Sequence, residues 1–166
     1  YVEDLVKAQP GTVALVQNAT HGVNTVLASF GLRPGDEVLV GSHEYFATLN
    51  ACRFHCERAG ARCTVVPMPF PVTCPGDIAD AFLSRVTPAT RLVVVDHITS
   101  ATGFVADPTP LVAELRNRGV ETLVDGPRPA GRHGVTWDAA GQPSGVYAYR
   151  IRSEGYEETK RMTLLK

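Results

Sequence analysis

Residues 91–103 read RLVVVDHITSATG, a stretch in which an apolar run gives way to polar residues. Its first half is a short, continuous apolar run, which is typical of a strand buried on both faces. Its second half is polar and rich in small residues, which is typical of a loop. Similar apolar runs occur at residues 12–17, 37–40, 62–67 and 120–125. With residues 91–96 they predict buried strands along most of the chain.

Stretches of helical periodicity separate these runs. They lie at residues 21–30, 46–59, 77–86 and 109–118. Gly or Pro in the connecting segments LRPGDEV, ERAGA, VTPATR and RNRGV marks where helices should end and strands begin. The βαβα alternation predicts an α/β fold, with a mostly parallel sheet and helices on both faces.

The charge balance and the apolar pattern narrow the class of protein. The 166 residues carry 16 basic and 17 acidic side chains, a net charge of -1. Because the two signs are interspersed, we expect no nucleic-acid partner. The chain has no apolar run of about twenty residues and no signal-peptide pattern at its beginning, so we expect no membrane span and a cytoplasmic location.

The four cysteines fall within residues 52–74, at spacings that match no zinc pattern. Cys52 and Cys56 lie one turn apart in a predicted helix. We therefore predict free, buried thiols and no metal site.

Ligands collect at the carboxyl ends of strands in open parallel sheets, so the loops after the strands are informative. In NATHGVN, the amides near Ala19 and Thr20 suit a phosphate, although this motif alone favours Thr20 or Asn18 as a simple helix N-cap. Tyr45, in SHEY, offers an aromatic face for a planar ring or belongs to the core. Asp125, in LVDG, suits a protonated pyridine nitrogen or caps the next turn.

Taken in order, NATHGVN, SHEY, VDHITSATG and LVDG resemble the class V aminotransferases, and most closely their isopenicillin N epimerase-like branch, which is related to cysteine desulfurases. The resemblance covers residues 1–131. It implies an incomplete large domain of the pyridoxal-phosphate (PLP)-dependent transferase fold there. After residue 131 the sequence changes character, with scattered Gly and concentrated charge, so we expect a divergent tail at 132–166 with a strand at 145–152. The resemblance also implies PLP as cofactor, an amino-acid substrate, and a homodimer in the full-length family.

The residues that match cofactor contacts of the family are Ala19, Thr20, Tyr45, Ser100 and Asp125. By the resemblance, the first two match the phosphate-binding position and Tyr45 matches the ring that stacks on the cofactor. Ser100 falls where the family contacts the phenolic oxygen, and Asp125 matches the aspartate that binds the pyridine nitrogen. His97 lies in the same segment as a family histidine but receives no role.

Two departures from the family concern the chemistry. Arg128 stands where the family has a histidine or glutamine, and a guanidinium is no acid or base near neutral pH. No residue matches the Schiff-base lysine, because Lys7, Lys160 and Lys166 lack its context. The catalytic residues therefore stay unassigned, and we expect a truncated or frameshifted piece of a longer gene that is inactive alone.

Two hypotheses about function follow. In the first, the intact relative uses PLP at the α-carbon of an amino acid, for epimerisation, transamination or C–S cleavage. In the second, the chain is a non-catalytic α/β binding or interaction module derived from that fold. A Rossmann-type protein is disfavoured because NATHGVN lacks the G-x-G-x-x-G pattern.

Overall fold

A computed structural model describes residues 11–74 and 76–126 in full, and the backbone of residues 145–153 and 156–164. The chain divides into two compact units, one of residues 32–127 and one that joins residues 1–31 to residues 128–166. The division at residue 131 that the sequence suggests stays a prediction. No helix in the described part of the chain has the length and apolar character that a bilayer span requires.

Four helices and six strands are described. In chain order they are α1 (Ala19–Ser29), β1 (Glu37–Gly41), α2 (Phe46–Ala59), β2 (Arg62–Val66), α3 (Asp77–Leu83), β3 (Thr90–Asp96), α4 (Thr109–Asn117), β4 (Glu121–Asp125), β5 (Gly145–Ser153) and β6 (Tyr156–Leu164).

The unit of residues 32–127 is built on a parallel four-stranded sheet with the order β2-β1-β3-β4. The α/β prediction is therefore confirmed. The chain passes from β1 to β2 on one side and then crosses to β3 on the other side of β1. Such a reversal opens a crevice at the carboxyl ends of the two central strands, which is where ligands bind in open α/β sheets.

One face of this sheet packs against α3 and α4. Alternate residues of a strand point to opposite faces, so Leu39 and Val93, which are register partners, project from the same face. They join Phe82 of α3 and Leu111 of α4 in the main hydrophobic cluster, where each of the four is at most 1% exposed. Burying a side chain as large as Phe82 contributes about 3 kcal/mol.

The opposite face is covered in part by α2. Val38 lies beside Cys63 in the sheet, and the Cys63 thiol is hydrogen-bonded to the Cys56 thiol of α2. α2 ends at Gly60, whose left-handed backbone (φ 67°) lets its N–H reach the Cys56 and Glu57 carbonyls. The segment ERAGA predicted this ending. Cys52 and Cys56 are free and buried, as the sequence predicts.

Residues 12–17 are not a strand, so that prediction is wrong. The segment has no regular secondary structure, and among the described residues the parallel sheet consists of β1, β2, β3 and β4. A strand requires a hydrogen-bonding neighbour as well as apolar side chains, and of residues 12–17 only Leu15 is buried. The apolar run therefore does not predict a hydrogen-bonding neighbour, and it predicts the burial of its own side chains poorly.

The other unit contains α1 and an antiparallel pair of strands, β5 and β6. β5 confirms the strand expected at residues 145–152. The pairing runs from Gly145 opposite Leu164 to Ser153 opposite Tyr156. β6 was not predicted, because its sequence YEETKRMTL is charged and only partly alternating.

Candidate functional site

Three acidic side chains meet at the carboxyl edge of the parallel sheet. Asp96 ends β3, Asp125 ends β4, and Glu44 lies in the loop after β1. Asp96 and Asp125 are register partners, so both project from the same face of the sheet. One carboxylate oxygen of each residue lies within 4.8 Å of the others. Glu44 and Asp96 are buried, at 8% and 7% exposure, and Asp125 is half-buried.

Two of these carboxyl groups are placed to interact with each other. The Glu44 and Asp96 carboxyl groups lie side by side, and this proximity contributes to the raised pKa of Glu44. The Tyr45 backbone N–H donates to Glu44 Oε1 at 3.1 Å, and the Ser100 backbone N–H donates to the Asp96 carboxyl group. Asp96 Oδ2 has no hydrogen-bond partner in the described structure. The loops after β1 and β3 are thus joined through one pair of acids.

The environment disfavours negative charge on all three groups. Burial, the hydrogen bond to Asp96 and the Asp96 charge raise the pKa of Glu44 to about 9. Burial also raises the pKa of Asp96, and burial together with the Asp96 charge raises the pKa of Asp125. Clustered perturbed acids in a crevice are typical of functional sites. The cluster would be stabilised by a proton or by a bound cation.

The amino edge of the same sheet provides a contrast. Glu37 is 2% exposed, yet its carboxylate accepts hydrogen bonds from Thr64 (2.7 Å), Thr87 (2.8 Å), Thr90 (2.9 Å) and Arg62 (3.0 Å). Burial raises its pKa, but these donors and the guanidinium outweigh burial, and the pKa of Glu37 is lowered. A buried carboxylate that serves the fold is therefore fully satisfied here, and the cluster at the other edge is not.

A short hairpin-like loop follows β3 and presents Ser100. Ile98 and Val105 form an antiparallel bridge, and the Gly103 N–H donates to the Thr99 carbonyl at 2.8 Å. The Thr99 hydroxyl accepts from the Phe104 N–H at 3.0 Å. Ser100 is exposed between these contacts, so its hydroxyl is available to a ligand.

This loop starts beside Asp125. The His97 N–H donates to the Asp125 carbonyl at 2.7 Å, which continues the β3–β4 pairing by one residue. Gly126 follows with a φ of 155°, and a Cβ added to it would overlap the Cβ of His97. Glycine is therefore required after Asp125. His97, to which sequence reasoning assigned no role, supplies a backbone contact here.

Tyr45 occupies the N-cap position of α2, with its side chain 50% exposed. This exposure rules out the alternative of a core tyrosine and leaves a ring face available for stacking. Its backbone contact with Glu44 fixes the start of the side chain at the edge of the acidic cluster.

Ala19 and Thr20 form the first turn of α1, in the other compact unit. Asn18 is the N-cap, and its side-chain oxygen accepts from the His21 N–H at 2.8 Å, which confirms the capping alternative for Asn18. The phosphate role of Ala19 and Thr20 stays a prediction. Arg128, Lys7 and Lys166 lie outside the described residues, and Lys160 is described only as backbone in β6.

Sequence reasoning missed Glu44 and Asp96. A signal was available, because Asp96 ends an apolar run in the same way as Asp125. Parallel strands of similar length place such residues side by side at one edge. Glu44, inside SHEY, carried no signal of its own beyond being an acid in a loop at that edge.

The model of the family "Aminotransferase class-V" matches residues 1–140. Isopenicillin N epimerase from Amycolatopsis lactamdurans is 34% identical over 148 residues, which are 85% of this chain and 36% of that protein. Cysteine desulfurase from Enterobacter sp. (strain 638) is 28% identical over 74% of this chain and 30% of its own length. The chain thus spans about a third of the length of these curated relatives.

Solved structures give the same fold. The cystine C–S lyase C-DES, in a mutant with glycine covalently linked to its PLP cofactor, matches with a TM-score of 0.70 and 26% identity over 89% of this chain and 39% of its own. The cysteine desulfurase CsdA from Escherichia coli matches with a TM-score of 0.66 and 22% identity, over 89% of this chain and 37% of its own, which shows the fold alone.

Proposed function

Because this chain belongs to the class V aminotransferase family, we propose that it is the part of a PLP-dependent enzyme that binds the cofactor ring at the carboxyl edge of β1, β3 and β4. The observation that carries the proposal is the acidic cluster of Glu44, Asp96 and Asp125, whose raised pKa values create a demand for positive charge. A pyridinium nitrogen beside Asp125 would supply such a charge.

The residues around the cluster fit a planar, cationic heterocycle. Asp125 is half-buried at the strand end, where its carboxylate would hold the proton on the ring nitrogen. Tyr45 would stack its half-exposed ring on the heterocycle, which contributes about 0.5–1.5 kcal/mol beyond burial. The exposed Ser100 hydroxyl would bind the phenolic oxygen. Ala19 and Thr20, in the other compact unit, keep the phosphate role that the family resemblance implies.

We assign the intact enzyme to reactions at the α-carbon of an amino acid, of the epimerase or aminotransferase type. When bound, PLP supplies an electron sink that labilises a bond at that carbon. Here the chain's own contribution is to orient the ring and to keep its nitrogen protonated through Asp125. Relatives named isopenicillin N epimerase and cysteine desulfurase support amino-acid chemistry in general rather than one reaction. A cytoplasmic homodimer remains part of the proposal.

A second candidate is a non-catalytic binding module. It is favoured by the three lysines of the sequence, Lys7, Lys160 and Lys166, none of which matches the family's Schiff-base lysine. In this case PLP would bind through the ring and phosphate contacts alone, without a covalent bond to the protein.

Equilibrium titration of the purified chain with PLP tests the proposal. Wild type should bind PLP, and Asp125→Asn should bind at least about tenfold more weakly, which corresponds to about 1.4 kcal/mol for the lost ionic hydrogen bond. Asp80→Asn, on the exposed surface of α3, should bind as wild type does. Equal affinity of the Asp125→Asn variant would refute the assignment of the ring site.

Borohydride reduction followed by intact-mass measurement separates the two candidates. A permanent mass increase equal to reduced PLP would identify a lysine of this chain as the Schiff-base residue and exclude the non-covalent module. Binding without a mass increase would assign the chain to the ring and phosphate contacts only.

A further inference from the structure

One carboxyl oxygen of Glu44 and one of Asp96 lie within 4.8 Å of each other, and both side chains are buried. An ionised carboxylate only accepts hydrogen bonds, so two carboxyl groups can bond to each other only when one carries a proton. We propose that Glu44 and Asp96 share a single proton and form a buried acid pair that positions Tyr45 and Ser100 around Asp125. The function proposed above gives neither member of the pair a contact of its own with the cofactor.

The surroundings of the pair favour one proton over none. Both side chains are more than nine-tenths buried, and Asp96 Oδ2 has no partner in the described structure to compensate a second negative charge. The titratable groups that face the pair are Asp125 from β4 and the Cys52 thiol from α2, whose pKa burial, Cys63 and Glu44 raise to about 12. Neither of these described groups is a cation, so a proton supplies the neutralising charge when no cofactor is bound.

The surroundings also favour one proton over two. The Tyr45 N–H donates to Glu44 and the Ser100 N–H donates to Asp96, and such bonds are stronger to a charged acceptor. A pair with one negative charge keeps these bonds and the bond between the acids. The raised pKa of Glu44, about 9, agrees with a proton retained at neutral pH.

The pair is placed to position the two loops of the site. Its members lie after β1 and at the end of β3, on either side of the crevice at the reversal of strand order. Each receives a backbone N–H from a residue assigned to the cofactor ring. Loss of the shared proton would replace the central hydrogen bond with repulsion between two buried charges and release both loops. The proton sharing is independent of the cofactor, whereas its consequence for the ring rests on the proposed function.

Infrared spectroscopy of the chain without cofactor tests the proposal. A protonated carboxyl group has a C=O band that is separate from the bands of carboxylates. At neutral pH, wild type should show an acid band that is lost in both Glu44→Gln and Asp96→Asn. The band should persist in Asp125→Asn and in Glu37→Gln, which removes the ionised carboxylate at the amino edge. A folded wild type without an acid band, or a band lost only in Asp125→Asn, would overturn the proposal.

Amide NMR tests the positioning role separately from folding. In wild type, the Tyr45 and Ser100 amide signals should move together as the acid band fades with rising pH. In Glu44→Gln, whose amide replaces the protonated acid as donor to Asp96, both signals should stay constant over the same range. If these amide signals shift with pH in the variant as they do in wild type, the positioning role of the pair is contradicted. If Glu44→Gln does not fold, the infrared spectrum of Asp96→Asn and the pH titration of the wild-type acid band test the proposal instead. An acid band that fades near the ordinary pKa of a carboxyl group would overturn it.

Neither measurement uses PLP, so its outcome does not depend on the proposed function. A confirmed acid pair without PLP binding would leave the pair standing and refute the cofactor site. If wild type binds PLP but lacks the acid band, the cofactor site stands and the acid pair is refuted.

Discussion

Substitution of Glu44 by glutamine should make folding stability less sensitive to alkaline pH. Glu44 has a pKa of about 9 in the folded protein, against an ordinary value of 4.5. Because the folded-state pKa is raised, the folded state holds a proton that the unfolded state has released. The stabilisation is complete below the unfolded pKa and is lost as pH rises through the folded pKa. The amide of the Glu44→Gln variant does not titrate, so this dependence disappears there.

The magnitude follows from proton linkage. Between the two pKa values, each pH unit lowers the free energy of unfolding by about 1.4 kcal/mol per retained proton. From about pH 6 to about pH 8 the wild type should lose about 3 kcal/mol through this group. Single domains are stable by only roughly 5–15 kcal/mol, so the loss is a large fraction of the total. Relative to wild type, Glu44→Gln should gain stability by this amount over the same range.

Urea unfolding at a series of pH values provides the assay. The difference between variant and wild type cancels contributions from titrating groups that do not interact with Glu44, including His55, whose pKa burial lowers. Glu57→Gln, at an exposed position of the same helix that Tyr45 caps, should follow wild type at every pH. Parallel curves for Glu44→Gln and wild type would refute the assignment of a retained proton to Glu44.

Three further predictions concern other parts of the described structure. Glu37→Gln should lower the free energy of unfolding at neutral pH, measured by urea unfolding, by about 2–4 kcal/mol, because the buried carboxylate loses its charged hydrogen bonds. Because the pKa of Glu37 is lowered, this deficit should vanish as pH falls through that pKa, and a constant deficit would contradict the reasoning. Gly126→Ala should lower the free energy of unfolding by more than about 2 kcal/mol, because the added Cβ meets His97, whereas Gly103→Ala, with open space around its Cβ, should lower it by only about 1 kcal/mol for its left-handed backbone. Equal losses for the two variants in thermal unfolding would contradict the contact with His97. Thiol labelling of the native chain should modify the exposed Cys74 first and leave the buried Cys52 protected, and simultaneous labelling would contradict the burial.

The strands that pair in the sheet were predictable because their apolar runs are short and continuous. Leu92–Val95 is the clearest case, with all four side chains at most 3% exposed. Residues 12–17 have a similar composition and do not pair, because strand pairing depends on a neighbour that local sequence does not contain. β6 is the opposite case. It pairs with β5 along its whole length, although its sequence lacks the apolar pattern that predicts a strand.

The sequence nominated Asp125, Tyr45 and Ser100 by their place after strands and by the family resemblance, and their cofactor contacts stay a prediction. The structure places Asp125 beside two further acids. The pairing of Glu44 with Asp96 was not predictable, because it depends on the order β2-β1-β3-β4, which brings the ends of β1 and β3 together. Sequence spacing alone separates the two residues widely.

Amide NMR mapping of PLP binding can show whether the carboxyl edge of the sheet holds the cofactor ring. The measurement compares amide spectra of the labelled chain before and after addition of PLP. The largest shifts should fall on Tyr45, Ser100, Asp125 and Gly126, with little change around Glu37 at the opposite edge. Binding that leaves these four amides unchanged, or that shifts the amino edge instead, would contradict the claim.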